Sequence, residues 1–509
     1  MPAPAGGQGG QGSSGRATLL RPAWVLAEPD SGVLHAGWSV RVEGERIVAA
    51  GPHDAVDPGA AQVVDLPDAL LMPGLVNAHQ HGRGLSQLQL GYPDAPLEPW
   101  IAQRVARGSP DAFALTQLAA AEMLRNGVTT AVHANYSYGS GDYEAEARAT
   151  LDAYIGIGLR VTFCVGAMDR APLVYPEEAQ PALLESMPPA ARDYLEARAQ
   201  GRRPPYAGDA ARTIALMDRL QADYGGHPLV TLAYGPAGPQ WVSDDMLAAL
   251  AQDARARGLG LHMHLLESPV QARVARERYP DGAVLHLERL GVLGPRTVLA
   301  HCVHLEPRDI AVMARSGCIA VHNPGSNLRL SNGLAPLAEL LQAGVPVAIG
   351  TDNCALADTE DLLAEMRLAD VLARRDPARY RFDAARLLGC LTATGARAAF
   401  VEQQVGRIAA GMQADLVAVD LRRVVGPYLD ADMPLLDALV QRAQGRDMRL
   451  TMVAGRILCR DGVLLAGNAA AIAASAGATA LRHRAAAAGP EAAQAAVALG
   501  RSLRELHRI

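Results

Sequence analysis

The stretch Leu71-Met-Pro-Gly-Leu-Val-Asn-Ala-His-Gln-His81 is an apolar run that ends in two histidines. Side chains alternate along a β-strand, so His79 and His81 face the same side. Two imidazoles at the tip of a buried strand can bind one divalent cation, although an isolated pair is more often two ordinary polar residues. Whether this motif binds a metal ion therefore depends on which other residues of the chain lie beside it in the fold.

Similar apolar runs recur along the chain, and most of them end in polar residues. They are Thr129–Asn135, Arg160–Gly166, Leu229–Tyr234, Leu259–Glu267, Thr297–His301, Cys318–Asn323 and Pro346–Asp352. Segments with helical patterns, such as 111–126, 244–257 and 358–374, lie between them. Strands that are apolar on both faces and alternate with helices predict a parallel sheet covered by helices. We therefore predict an α/β protein with a (β/α)8 TIM-type barrel over residues 71–402, its active site at the C-terminal strand ends.

The flanks of this repeat predict a second domain. Short alternating runs, broken by Gly and Pro, occupy residues 18–70 and 403–465. Two half-sets of strands most simply form one small antiparallel β-domain, a β-sandwich built from both chain ends. Residues 1–17 are rich in Gly, Gln and Ser and predict a disordered tail. The Ala-rich residues 466–509 predict a helical extension that packs across the domain or mediates association.

Composition is consistent with a soluble cytoplasmic enzyme. A net charge of −6 gives no reason to expect nucleic acid or an anionic membrane as a partner, and no apolar run is long enough to span a bilayer. Six cysteines, mostly in apolar strands, predict buried reduced thiols. We expect a small-molecule substrate and a homo-oligomer.

The chain has no lysine, and its 47 positively charged Lys-or-Arg positions are all arginine. Some barrel hydrolases bridge two metal ions with a carboxylated lysine, which this chain cannot supply. A site with a single metal ion is therefore favoured.

The predicted strand tips carry a set of metal-binding residues. The fifth, sixth and eighth strands end in His262-Met-His264-Leu-Leu-Glu267, His301-Cys302 and Gly350-Thr-Asp352. Together with His79 and His81, these tips offer imidazoles and a carboxylate. Such a set suits one divalent ion, Zn²⁺ or Fe²⁺, with a position left open for water.

Several blocks resemble the signature motifs of the amidohydrolase superfamily: MPGLVNAHQH, HMHLLES, LAHCVHL, AVHNPGSNLRL and IGTDN. The similarity is to the branch that holds cytosine deaminase, guanine deaminase, the S-adenosylhomocysteine/methylthioadenosine deaminases and the triazine hydrolases. It extends into the flanking strands and covers about residues 18 to 465.

This resemblance implies a role for each strand-tip residue. The implied metal ligands are His79, His81, His264 and Asp352. Glu267 matches the proton-shuttling glutamate of an HxxE motif, and His301 matches the histidine that holds the attacking water or the attacked group of the substrate. His262 shares a face with His264 and competes with it as a ligand. The HxxE spacing favours His264 and leaves His262 as a polar residue packed inside the barrel.

The implied reaction is that of a metal-dependent aminohydrolase. A metal-activated hydroxide, oriented by Asp352 and His301, would attack a C=N carbon of a small N-heterocycle. Glu267 would protonate a ring nitrogen, and ammonia or an amine would leave. Alternatives are loss of another leaving group, such as halide, and opening of a cyclic amide, such as an imidazolone. A metal-free structural scaffold is a remote alternative, because every ligand of the set is present.

Two departures from the adenosine-type deaminases argue against an adenine nucleoside as substrate. In Leu97-Glu-Pro-Trp-Ile101, Pro99 stands where those enzymes have a ribose-binding glutamate. In Gly235-Pro-Ala-Gly-Pro239, Ala237 stands where they have a histidine that contacts the heterocycle.

Five further residues near the predicted rim are candidates for substrate binding. Arg83 follows the first-strand histidines and could meet an anionic or carbonyl-bearing substrate, or lie in a loop ion pair. His133 ends the second strand and could contact substrate or make structural hydrogen bonds. The other candidates could line the pocket: Trp100, Gln240 and Trp241. In the seventh loop we expect residues that shape the loop rather than touch substrate: Asn323, Ser326 and Asn327.

Overall fold

The structure is a computed structural model that describes residues 17–508 except 138, 171–174, 176, 201–207, 354 and 487–489. Apart from residue 17, the tail predicted to be disordered lies outside the described residues. The strands are β1 Thr18–Leu26, β2 Leu34–Ala36, β3 Trp38–Glu43, β4 Arg46–Pro52, β5 Gln62–Pro73, β6 Leu75–Gln80, β7 Val128–Ala134, β8 Arg160–Ala167, β9 Val230–Pro236, β10 Gly260–Leu265, β11 Thr297–His301, β12 Ile319–His322, β13 Val347–Ile349, β14 Leu416–Asp420, β15 Met448–Val453, β16 Arg456–Arg460 and β17 Val463–Leu464.

The α-helices of the described residues fill the connections between these strands and follow the last of them. They are α1 Leu97–Arg107, α2 Ala112–Arg125, α3 Tyr143–Ile157, α4 Gln180–Glu185, α5 Pro189–Gln200, α6 Ala210–Tyr224, α7 Asp244–Arg257, α8 Pro269–Arg278, α9 Ala283–Arg289, α10 Pro307–Ser316, α11 Pro324–Arg329, α12 Leu337–Gln342, α13 Leu362–Ala373, α14 Ala384–Leu391, α15 Ala393–Ala398, α16 Leu421–Val425, α17 Leu435–Arg442, α18 Ala469–Ala486 and α19 Pro490–His507. Among these helices, none is long and apolar enough to cross a membrane.

The eight strands β6 to β13 form the predicted barrel. They pair in sequence order, and every pair is parallel. At the seam between the first and last strands, the Asp352 amide donates to the His79 carbonyl at 2.9 Å. Small and branched side chains fill the barrel interior, among them Val76, Ala78, Val298 and Ala348. The fold class is therefore the predicted one.

The chain ends meet in a second domain, as predicted, but its sheet is mixed rather than antiparallel. Its strands follow the order β17-β16-β15-β14-β5-β1-β3-β4, and β2 pairs with β1. The exception to the antiparallel prediction is the β1–β5 pair, which is parallel. Apolar side chains from both chain ends, including Leu20, Val40, Leu71, Leu416 and Met452, share one core. Burying them in common makes the two ends one unit.

The boundary between the domains lies slightly later than predicted. β5 continues to Pro73 because β14 keeps pairing with it, with Leu416 opposite Pro73 and Ala418 opposite Leu71. The barrel begins at Leu75, after Gly74. A Cβ atom on Gly74 would lie 2.0 Å from Thr129 Oγ1, so only glycine fits where the chain passes from one sheet to the other.

A buried ion pair fastens the barrel to the β-domain. Arg160, on β8, donates from Nε and an Nη atom to the two carboxylate oxygens of Asp415, at 2.9 and 3.0 Å. Both residues are buried. The Ala454 amide also donates to Asp415, at 2.8 Å. A bidentate ion pair of this kind fixes the relative orientation of the two side chains as well as their distance.

The helical extension packs on the barrel, which is one of the two roles considered for it. α18 lies against α2, and α19 lies against α1 and α5. The side chain of Arg273, on α8, donates to the His507 carbonyl at 3.0 Å. The ring of His507 stacks on Tyr175 with a centroid separation of 5.9 Å. The C-terminal helix α19 therefore packs against α1, the helix that carries Glu98 and Trp100.

Candidate metal centre

The predicted ligands converge at the C-terminal ends of the barrel strands. Nitrogen atoms of His79, His81 and His264 lie within 4.8 Å of one another, and so do ligand atoms of His79, His301 and Asp352. The Nε2 atoms of His81 and His79 lie 3.0 and 3.5 Å from Asp352 Oδ1. The predicted strand tips therefore meet at one point.

Hydrogen bonds to backbone carbonyls orient two of the imidazoles. Nδ1 of His81 lies 2.6 Å from the Ala134 carbonyl, and Nδ1 of His264 lies 2.8 Å from the Ala237 carbonyl. A carbonyl only accepts, so each Nδ1 carries the proton and each Nε2 keeps its lone pair. Metal-binding histidines are typically oriented in this way. Position 237 thus contributes through its backbone.

The remaining histidine of the first strand is oriented by another histidine. Nδ1 of His79 lies 2.8 Å from Nε2 of His262, and the two rings are nearly parallel. His262 is fully enclosed and faces the barrel interior, as expected. It is more than a packed polar residue, however, because it holds a residue of the donor set.

The protonation states of the donor set suit a cation. Burial lowers the pKa of His79 to about 4 and lowers the pKa of His81 and His264, so these rings are neutral at pH 7. Burial alone would raise the pKa of Asp352, but its close contacts with the His79 and His81 rings outweigh burial and hold that pKa well below its ordinary value. Neutral imidazoles and an ionised carboxylate are the forms that bind metals.

Glu267 has the properties of a proton donor and acceptor. Its side chain is buried, and Asn332 Nδ2 donates to Oε1 at 3.0 Å. The same oxygen lies 3.8 Å from His301 Nδ1. Burial raises the pKa of Glu267 from its ordinary value of 4.5 to about 7. A carboxyl with this pKa exchanges protons readily near neutral pH.

His301 and Asp352 both sit on unusual backbone. Their φ angles are 71° and 55°, in the left-handed region that non-glycine residues rarely adopt. Such conformations cost about 1–3 kcal/mol each and persist where the surrounding structure imposes them. Here they occur where β11 and β13 end and the chain turns at the mouth of the barrel.

Residues of the seventh loop also bond to side chains of the centre, and their expected lack of substrate contact stays a prediction. Ser326 donates to Asp352 Oδ2 at 2.5 Å. Nδ1 of His301 lies 3.0 Å from Asn327 Oδ1 and 3.4 Å from Asn323 Nδ2. These contacts come from the start of α11, whose distance from β13 in sequence hid the contact with Asp352.

His133 lies on the side of β7 that faces the helices. Its Nδ1 is 3.1 Å from the hydroxyl of Tyr154 on α3, and its ring stacks on Phe163 at 5.5 Å. It pairs in register with Gln80, whose side chain also bonds to Tyr154. These contacts match the structural alternative for His133, and its contact with substrate stays a prediction.

The other rim candidates pack among neighbouring side chains. Arg83 is buried, and its guanidinium donates to Ser109 Oγ at 2.9 Å. Trp241 contacts His264 edge-to-face, with ring centroids 6.3 Å apart. Trp100 packs against Leu97 and Leu330. Trp100 Nε1 and the Nε2 atom of buried Gln240 have no hydrogen-bond partner among the described residues. Their roles in binding substrate stay predictions.

Glu98 is a buried carboxyl near the centre and is not one of the site residues predicted from the sequence. Its Oε1 accepts hydrogen bonds from the hydroxyls of Tyr175 and Ser268, the latter at 2.5 Å. Burial raises its pKa. Ser268 directly follows Glu267, so α1 is tied to the segment that carries this glutamate. Glu98 directly precedes Pro99, the residue that stands in place of the ribose-binding glutamate of the adenosine-type deaminases.

The donor set fits a divalent ion. The Nε2 atoms of His79 and His301 are buried without a hydrogen-bond partner in the described part of the chain, a costly arrangement unless they bind something. Imidazole nitrogens with a carboxylate oxygen suit Zn²⁺ or Fe²⁺. Barrel and strand-tip donor set together define the class of metal-dependent barrel hydrolases.

Comparison with known proteins extends this assignment. The Amidohydrolase family model matches residues 70–458. A 5'-deoxyadenosine deaminase of Methanosarcina mazei is 31% identical over 87% of this chain and 93% of its own length. A 5-methylthioadenosine/S-adenosylhomocysteine deaminase of Syntrophobacter fumaroxidans is 31% identical over 90% of this chain and 96% of its own length.

Solved structures share the fold of this chain. An adenosine deaminase from Xanthomonas campestris with bound zinc has a TM-score of 0.75 and 29% identity, covering 92% of this chain and 98% of that one. An atrazine chlorohydrolase from Arthrobacter aurescens, complexed with zinc, shares the fold with a TM-score of 0.74 and 22% identity, covering 91% of this chain and 100% of that one. The chain belongs to the amidohydrolase family and is a hydrolase that acts on carbon–nitrogen bonds other than peptide bonds.

Proposed function

We propose that this protein is a metal-dependent aminohydrolase that releases ammonia or an amine from a C=N carbon of a small N-heterocycle. The observation that carries the proposal is Glu267, a buried carboxyl with a pKa of about 7 beside the donor set. A group that can both give and take a proton at neutral pH suits a reaction in which a ring nitrogen must be protonated and an amine must leave.

The ligands of the ion would be His79, His81, His264 and Asp352. A bound Zn²⁺ or Fe²⁺ supplies a Lewis acid and lowers the pKa of water toward neutrality. Glu267 would donate its proton to the ring nitrogen next to the attacked carbon. His301, oriented by Asn327, would hold the attacking oxygen, and Asp352 would accept a proton from the attacking water. Asp352 would pass this proton to the exocyclic nitrogen, and ammonia would depart. Loss of the remaining O–H proton to Glu267 would leave a C=O group in place of the C–NH2 group and restore the protonated glutamate.

A second candidate is deamination of an adenine nucleoside, which the names of several relatives favour. Against it stand Pro99, which offers no carboxylate, and Ala237, which offers only its carbonyl. The carboxylate of Glu98 is already engaged by Tyr175 and Ser268. These contacts favour another heterocycle as the substrate.

The test is a screen of the metal-loaded protein with detection of released ammonia. It would include aminated purines, pyrimidines, pterins, triazines and imidazoles, with 5'-deoxyadenosine and S-adenosylhomocysteine beside them. Ammonia release from a heterocycle in preference to the nucleosides would support the proposal. Faster turnover of a nucleoside would support the second candidate. Release of ammonia from none of these compounds by a protein that holds stoichiometric metal would contradict both.

A further inference from the structure

One surface groove contains none of the metal ligands, and the described residues that line it are all charged, polar or glycine. It has a volume of about 610 Å³ and is formed by α13, α16, α17 and the 3₁₀ turn Gly445–Asp447. Small-molecule sites have volumes of about 300–1,000 Å³ and are mostly lined by apolar side chains, so this polar lining is unusual. More than half of the lining residues are arginines, and we call the cavity the arginine groove: Arg367, Arg422, Arg423, Arg442 and Arg446.

Carbonyl oxygens, rather than carboxylates, fix two of these guanidinium groups in place. Arg367 donates to the Ala443 carbonyl from both Nη atoms, at 3.0 and 2.7 Å. Arg442 donates to the carbonyls of Val424 and Gly426, at 2.6 and 2.8 Å. A carbonyl oxygen carries no net charge, so it orients a guanidinium group without neutralising it. The groove therefore holds positive charges at fixed positions.

The remaining arginines differ in how far they are neutralised. Arg446 is exposed, and its side chain makes no hydrogen bond or ion pair within the described part of the chain. Arg422, by contrast, forms a bidentate pair with Asp420, at 3.0 and 2.7 Å. The carboxylates of Asp68 and Asp461 also act on Arg422. We therefore leave this arginine out of the charge balance of the groove.

Four guanidinium groups of the groove then face two carboxylates. Asp447 lies 3.2 Å from an Nη atom of Arg423. Asp361 and Asp447 raise the pKa of Arg367, but burial outweighs them and lowers it. Two positive charges are thus left without a carboxylate, in a chain whose net charge is −6. Guanidinium groups held near one another repel, and a bound anion would relieve this repulsion.

We propose that the arginine groove binds a phosphate monoester of a polar, non-aromatic molecule such as a sugar, with Arg442 and Arg446 on the phosphate group. Such a group carries a charge of about −1.5 to −2 at pH 7, which matches the two unbalanced positive charges. Guanidinium N–H groups fit the oxygens of a phosphate. The polar lining requires the rest of the ligand to be polar, and the amide of Gln441 can bond to its hydroxyl groups.

The test is calorimetry on the full-length, metal-loaded protein with glucose 6-phosphate, glucose and inorganic phosphate as probes. We expect glucose 6-phosphate to bind about 10- to 100-fold more tightly than glucose, the range for hydrogen bonds to a charged group. It should also bind more tightly than inorganic phosphate, because the sugar adds contacts of its own. Added salt should weaken its binding, because salt screens exposed charges. Equal affinities for glucose 6-phosphate and glucose would overturn the inference.

Arg446→Met tests the groove itself. Because this side chain is exposed and makes no bond in the described part of the chain, the variant should fold normally and bind glucose 6-phosphate about 10-fold more weakly. Arg446→Lys keeps the charge but not the planar fork and should retain part of the affinity. Arg381→Met is the matched control, since Arg381 is equally exposed, makes no bond among the described residues and lies outside the groove.

Three results would assign the phosphate elsewhere and overturn the inference. Unchanged affinity in Arg446→Met would mean that the phosphate binds at another place, such as the metal centre. Inorganic phosphate bound as tightly as glucose 6-phosphate would mean that the groove holds any anion. An oligothymidylate that displaces glucose 6-phosphate and binds more tightly would assign the groove to nucleic acid. None of these measurements depends on ammonia release, so they leave the proposed function to its own test.

Discussion

The Nδ1 atom of His79 lies 2.8 Å from the Nε2 atom of His262. If Nε2 of His79 is to bind a metal ion, its Nδ1 must carry the proton and donate it to His262. His262 must then be neutral, with its own proton on Nδ1. Burial lowers the pKa of His262 well below its ordinary value, so the neutral form is the stable one. His262 lines a cavity of about 20 Å³, which is room for one water molecule.

Replacing His262 should therefore weaken metal binding. His262→Leu removes the acceptor, and we expect zinc affinity to fall about 10- to 100-fold, the usual effect of losing a partner of this kind. His262→Gln can still accept from His79 through Oε1 and should retain most of the affinity. Competition with a chromophoric chelator measures both variants. Equal affinities for the Leu and Gln variants would show that His262 acts only by filling space.

Glu267→Gln should separate metal binding from turnover. The side chain is not a ligand, and Gln keeps its size and its bond with Asn332, so zinc content should stay near normal. Loss of the ionisable group should lower kcat about 10²- to 10⁴-fold, the range for a general acid or base. Metal analysis and steady-state kinetics give the two readings, with exposed Glu178→Gln as the control. Turnover near that of the wild type would remove Glu267 from the mechanism.

The Arg160–Asp415 pair should be essential for stability although it lies away from the centre. Arg160→Met leaves Asp415 buried without its counter-charge, which costs about 3–5 kcal/mol. The double variant Arg160→Met/Asp415→Asn removes both charges and keeps an acceptor for the Ala454 amide, so it should recover much of this loss. Urea unfolding measures the three proteins. A double variant no more stable than the single one would contradict the electrostatic explanation.

Glu365 should make stability depend on pH. It is buried on α13, accepts from the Gly325 and Leu356 amides at 2.8 Å each, and burial raises its pKa from 4.5 to about 7. A raised pKa means that the folded protein holds the proton more tightly than the unfolded chain does. Its stabilising effect is complete below about pH 4.5 and is lost as the pH rises through about 7, on the order of 2 to 3 kcal/mol.

Glu365→Gln removes this titration, so its melting temperature should fall less than that of the wild type between about pH 5 and pH 8. The absolute stability of the variant will be lower at acid pH, because one of the two amide hydrogen bonds is lost. The informative quantity is therefore the difference in slope. Parallel melting curves for the two proteins across this range would contradict the prediction.

The sequence by itself determined the barrel and predicted which strand ends carry the donor set, and the resemblance favoured His264 over His262. Apolar runs with helical segments between them require a covered parallel sheet, and the ends of parallel strands meet at one edge, so His79, His264 and Asp352 could be brought together without coordinates. The role of Glu267 came instead from the resemblance of its HxxE motif to that of the amidohydrolase superfamily.

Only the tertiary structure decided which side chains turn toward that mouth and which groups support them. The pairing of β6 with β7 shifts register between Asn77 and Gln80, so His133 pairs with Gln80, and the local sequence of either strand cannot reveal such a shift. The contacts of His79 with His262 and of Arg83 with Tyr136 join residues from different strands and loops. Packing between distant segments sets these pairings, whereas the local sequence specifies only each segment's own periodicity.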